Sequence, residues 1–203
     1  MRRVWTTYLG RRFQDRYPAR VARSRSDRDG GTQVPGLDEL TRLLGTPSPY
    51  AHAPTDWSEV ERYVGTSLPS DFKVFLDSYG PGVIADELVV FHPQGRTPLL
   101  ERMHRIHDTW TEARCQYPDD FPYPFHPQPG GLISWGYDYG GDEHFFLPCD
   151  HPGSWKIVTM AHEEGCEVFD GPFSDFVIAF MNRLQVMDGA DHIRPAVPSF
   201  EPY

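Results

Sequence analysis

The chain has 203 residues, 39% hydrophobic and 14% aromatic, enough for one cored domain and too apolar for global disorder. Its longest apolar run, Phe176 to Met181, is far too short to cross a bilayer, which excludes a transmembrane helix. The formal net charge of −10 is unevenly spread: residues 1–35 hold nine arginines against three aspartates, a surplus of +6, and the rest carries −16.

Residues 1–35 read as a basic, disordered tail ending in Asp29-Gly30-Gly31, with no sustained helical period. An Arg-rich transit peptide and an extension ahead of a natural start near Val34 are the competing readings. Residues 36–186 read as one α+β domain, and residues 187–203 as a loose Pro-rich tail.

Within the domain, Leu37, Leu40, Leu43 and Leu44 recur at helical spacing until Gly45 and Pro47 stop the turn. A second helix is capped by Thr55 or Asp56, carries Trp57, Val60 and Val64 on one face and ends at Gly65. Pro69 suits the start of a third, in which Phe72, Phe75, Leu76 and Tyr79 form a stripe closed by Gly80. Lys73 and Asp77 pair on its outer face. Leu88 to Phe91 make a short buried strand, and Leu99, Met103, Ile106, Trp110 and Ala113 an amphipathic helix ending near Cys115.

Five prolines make residues 117–131 irregular. Strands are expected over Leu132–Trp135, Glu143–Leu147, Trp155–Met160 and Cys166–Phe169, the first two joined by a Gly-rich turn. A last helix lines up Phe173, Phe176, Val177, Phe180 and Leu184. Helices, then antiparallel strands, then a closing helix make an α+β pattern with a mostly antiparallel or mixed sheet.

Several residues invite a chemical role. His104 and His107, with Glu101 one turn earlier, have metal-ligand spacing on a helix, but nothing else in the sequence completes a set; solvated surface is the better reading. Cys149 and His151 lie too close along the chain to form a nucleophile–base pair in a loop. There is no G-x-S-x-G elbow and no phosphate-cradling glycine loop, so neither catalysis nor a cofactor is expected. Cys115, Cys149 and Cys166 have no framework spacing, which fits a reducing cytoplasm.

The segment from Trp135 to Glu143 is different, because aromatics alternate with carboxylates. Tyr137, Asp138, Tyr139, Asp142 and Glu143 suit recognition of a basic protein surface, with tyrosines as anchors and acids as steering charges. Glu163 and Glu164, with Glu167 and Asp170, add a second acidic cluster, and Asp119-Asp120 a third. An acidic body repels nucleic acid and anionic membrane and attracts basic partners.

The order of these signals resembles a known family. Trp57-Ser58-Glu59-Val60-Glu61 leads to Gly65, Leu68-Pro69, Asp71-Phe72, Phe75-Leu76 and Tyr79-Gly80. A Gly131-Leu132-Ile133 strand, a Gly141-Asp142 turn and a terminal aromatic helix after Gly171-Pro172-Phe173 follow. Over roughly Asp56 to Leu184 this is similar to the SUKH superfamily, which includes the yeast cell-wall-assembly regulator and bacterial immunity proteins. The resemblance implies an α+β domain without catalysis that binds and neutralises a cognate toxin domain, often a nuclease. The alternative it allows is a regulatory interaction module in signalling or cell-wall assembly. The long segment between Pro98 and Gly131 departs from the family's pattern.

Overall fold

The apolar stripes and alternating runs fold onto one antiparallel sheet in a computed structural model that describes residues 36–47, 55–161, 165–187 and 198–203. Among these, the helices are α1 (Leu37–Leu44), α2 (Ser58–Val64), α3 (Ser70–Tyr79), α4 (Leu99–Gln116) and α5 (Phe173–Met187). The strands are β1 (Gly82–Ile84), β2 (Leu88–Val90), β3 (Ile133–Asp138), β4 (Glu143–Leu147), β5 (Lys156–Ala161), β6 (Gly165–Phe169) and β7 (Phe200–Pro202). They run in the order β6-β5-β4-β3-β2-β1-β7, every neighbour antiparallel. The expected α+β architecture is therefore present, and no described helix is long and apolar enough to cross a membrane.

Helices lie on both faces of the sheet. On one face α1, α3 and α5 pack together over Trp135, Phe146 and Ile157, and Phe72, Phe173 and Phe176 fill the space between. Phe72 meets Trp135, Phe146 and Phe173 edge-on at 5.1–6.2 Å, the arrangement aromatic rings prefer. On the other face α4 and residues 121–132 cover a smaller cluster of Ile106, Phe125, Leu132, Phe145, Val158 and Met160.

Polar side chains tie these layers at defined points. Asp71, buried at the start of α3, accepts the backbone N–H of Ser174 at 2.9 Å and so caps α5 from a distant helix. Glu61 accepts from the Leu68 backbone at 3.1 Å and from Lys73 at 2.7 Å, fixing the turn between α2 and α3. Asp56 caps α2 through the Ser58 N–H at 2.9 Å.

The structure departs from the sequence expectations at several places. Lys73 and Asp77 do not pair with each other: Lys73 reaches Glu61, and Asp77 accepts the indole N–H of Trp57 at 3.2 Å. Partly buried tertiary partners outcompete an exposed pair on one helix, which contributes only a few tenths of a kcal/mol. β1 lies outside the expected strands because three residues carry no readable period. In place of a wholly loose tail over 187–203, Phe200–Pro202 form an edge strand on β1. The Phe200 ring anchors it against Phe75 and Tyr79 at 5.9 and 5.3 Å. β3 also runs past Trp135 to Asp138, with a bulge between Ser134 and Gly136.

Candidate partner-binding site

That extension of β3 decides what the Trp135–Glu143 segment can do. Successive residues of a strand point to opposite faces, so Tyr137 and Asp138 cannot belong to one surface patch. Tyr137 pairs directly with Glu143 on the α4 face. There Arg102 of α4 bonds the Glu143 carboxylate through Nη2, its guanidinium carbon 5.2 Å from the Phe91 ring centre and 5.0 Å from that of Tyr137. Burial pushes the Glu143 carboxyl above its usual range, and the Arg102 charge only partly opposes this.

Asp138 turns to the opposite face. Its Oδ2 lies 3.3 Å from Nε2 of the buried His144, and its Oδ1 accepts the Asp142 N–H at 3.1 Å. Burial works to raise the Asp138 carboxyl, but His144 and the Asp142 N–H outweigh it and the net shift is downward. His144 is held by Thr159 at 3.0 Å and stacks on Trp135 at 5.3 Å. Asp138 and Glu143 are thus internal charges with internal partners, and the expectation that they steer a partner at the surface is corrected. Asp142 is half-buried and engaged at the β3–β4 turn. Glu163 and Glu164 lie outside the described residues.

What remains exposed is aromatic. Tyr139 is 60% exposed, and its ring lies 6.2 Å from that of the half-buried Tyr137 two residues earlier. The sheet brings a third tyrosine that the sequence did not advertise. β7 pairs Glu201 with Val83, β1 pairs Val83 with Val89, and β2 pairs Val89 with Tyr137, so Glu201 shares the face of Tyr137. Tyr203, two residues on, follows to the same face and is 47% exposed. Its backbone N–H donates to Pro81 and its hydroxyl to the Val90 carbonyl, each at 3.3 Å. Burial pushes the Tyr203 phenol up to about 12, with Tyr137 and Tyr139 adding to the shift. The alternation Phe200-Glu201-Pro202-Tyr203 was the signal that could have found it: Phe200 buries inward while Tyr203 faces out.

The histidines of α4 form a second cluster. His107 is buried, not solvated as its sequence context suggested. Its Nε2 accepts the Ser134 N–H at 3.0 Å, so its Nδ1 carries the proton and donates to the Tyr63 hydroxyl at 2.9 Å. Burial, with the charges of His126 and His104, brings its pKa down to about 3, which keeps the ring neutral. His104 and His126 pack on Tyr63 with ring centres 4.1 and 4.6 Å away. Burial pushes the Tyr63 phenol up to about 12. A neutral imidazole that spends both nitrogens on the fold is a poor proton carrier. Among the described residues no three His, Cys, Asp or Glu side chains are grouped to hold a metal ion. Cys166 is likewise held as the thiol, its pKa pushed up to about 12 by burial and Glu167.

Comparison with protein families, curated proteins and solved structures finds no match for this chain.

Proposed function

We propose that this chain is a non-enzymatic immunity protein of SUKH type that binds a cognate toxin domain in the cytoplasm and neutralises it by occlusion. The observation that carries the reading is the tyrosine platform: Tyr137, Tyr139 and Tyr203 gather on one face of the sheet, two of them substantially exposed. Tyrosines in this setting supply large, stiff contact area with a polar tip, the composition of binding hot spots. The net charge of −16 outside residues 1–35 supports a basic partner, such as a nuclease, whose approach it would steer.

The test is co-expression with toxin-like coding regions found beside this gene. Protection of the host by this chain, lost in the Tyr139→Ala/Tyr203→Ala double variant with folding intact, is the expected result. Truncating two anchors of this kind costs about 2–4 kcal/mol of binding, or at least ~30-fold in affinity. Absence of any neighbouring toxin, or full protection by the double variant, would refute the immunity reading or the platform respectively.

A further inference from the structure

Between α2 and α4 lies a groove of about 640 Å³, within the range of sites that enclose a side chain or small ligand. Its floor is apolar: Val60 of α2, Leu100 of α4, and Pro93 and Pro98 of the connecting loop. Its rim is acidic, with Asp56 and Glu59 on one side and Glu101 on the other. Glu59 and Glu101 are exposed and make no hydrogen bond or ion pair among the described residues. Asp56 spends one oxygen on the Ser58 N–H, and Arg62 lies near enough to act on its charge. Among the described residues no arginine or lysine lines the groove.

The walls are fixed before anything binds. His92 is buried, and its carbonyl accepts the N–H groups of Gly95 at 3.1 Å and Leu99 at 3.0 Å. Its Nδ1 accepts the Gln94 N–H at 3.1 Å, which leaves Nε2 protonated and donating to Thr55 at 2.9 Å. One histidine therefore shapes the loop that carries Pro93 and Pro98. Across the groove, the Trp57–Asp77 hydrogen bond pins the start of α2 to α3. His104 also lines the groove, its ring packed on that of Tyr63.

We infer that this groove takes an arginine side chain presented by the protein partner, a site that deepens the partner-binding reading above and rests on it. The chemistry is complementary at each level. The apolar floor matches the aliphatic stem and flat face of the side chain, and carboxylates on both rims can accept from a guanidinium at once. Because the walls are already held, little ordering opposes binding. The groove and the tyrosine platform flank the same connection, with Phe91 beneath Tyr137 and Pro93 and Pro98 in the groove wall.

The test titrates the full chain with the peptide acetyl-Gly-Arg-Gly-Arg-Gly-amide and with its citrulline counterpart, which keeps the shape and removes the charge. Amide NMR shifts are the readout. Saturable shifts at Glu59, Val60, Leu100 and Glu101 are expected with the arginine peptide and not with citrulline. Glu59→Gln/Glu101→Gln should weaken this binding about tenfold, whereas Asp119→Asn/Asp120→Asn, removing the same charge from an exposed turn, should change it less than about twofold. Equal shifts with citrulline, or equal weakening by both variants, would overturn the site. If wild-type chain protects against a toxin and Glu59→Gln/Glu101→Gln protects equally well, the groove fails while the immunity reading stands. If the peptide binds as expected and wild-type chain protects against no toxin, the groove stands and that reading fails.

Discussion

Replacing His107 with Gln should make the protein less sensitive to acid, because His107 is a buried base that the fold holds neutral. In the unfolded chain its pKa returns to the ordinary 6.5, against about 3 in the fold. Below pH 6.5 the unfolded state therefore binds a proton that the folded state refuses, and stability falls as pH falls. The window runs from 6.5 down to about 3. At about pH 4.5 the unfolded ring is protonated roughly a hundredfold over neutral while the folded ring stays neutral, which costs about 3 kcal/mol.

His126, also shifted down by burial, adds loss of the same sign, and Asp138, shifted down, adds its own at lower pH. Glu143, Glu87 and Asp175, all shifted up by burial, act in the opposite sense. These groups are common to both proteins, so the difference between them isolates His107. Urea unfolding at about pH 7.5 and about pH 4.5 is the assay. Gln can still accept from Ser134 through its amide oxygen, so His107→Gln should lose only about 1–2 kcal/mol at the higher pH. It should then lose about 3 kcal/mol less than wild type on acidification. Equal acid losses in the two proteins, or a His107 ring signal that titrates between pH 5 and 8 in the folded wild type, would refute the reasoning.

Two further outcomes follow from the packing. Asp71→Ala removes the carboxylate that caps α5 through the Ser174 N–H, so chemical unfolding should show a loss of about 1–2 kcal/mol. The exposed neighbour Ser70→Ala should change stability by less than about 0.5 kcal/mol, and equal losses would dismiss the cap. Gly82→Ala would place a Cβ 2.4 Å from the Phe200 ring and 2.5 Å from the Glu201 carbonyl, so β7 must move away from β1. Hydrogen exchange should then speed up at Ala85 and Tyr203, whose N–H groups bond Ser199 and Pro81, while Leu88–Val90 stay protected. Unchanged exchange at Ala85 would show that the strand does not depend on this glycine.

Legibility varied with the length of each pattern. The Phe72–Tyr79 and Phe173–Phe180 stripes recur over two or more turns, so their helices and buried faces could be read directly. β1 and β7, three residues each, hold too few positions to show a period. His107 misled because a polar residue flanking an apolar stripe normally faces water. Here the donor it accepts from, the Ser134 N–H beside a β-bulge, lies 27 residues away in the chain. The candidate site shows the same division. Tyr137 and Tyr139 were legible as paired aromatics beside the turn, and Tyr139 is exposed, but their carboxylate neighbours were not legible as interior groups. Their roles depend on Arg102 and His144, which the local sequence does not connect to them.

By itself the sequence determined the helical stripes, the antiparallel hairpins, the α+β class and the charge division between residues 1–35 and the rest. Those are properties of local period and of composition. The tertiary structure alone decided which charges are spent. Strand alternation sent Asp138 and Glu143 to opposite faces and gave each an internal partner, and the β7–β1 pairing brought Tyr203 beside Tyr137 and Tyr139. The −16 body therefore has fewer free carboxylates on the β3–β4 hairpin than its sequence suggests. Glu59 and Glu101, far apart in the chain, meet across one groove because α2 packs against α4.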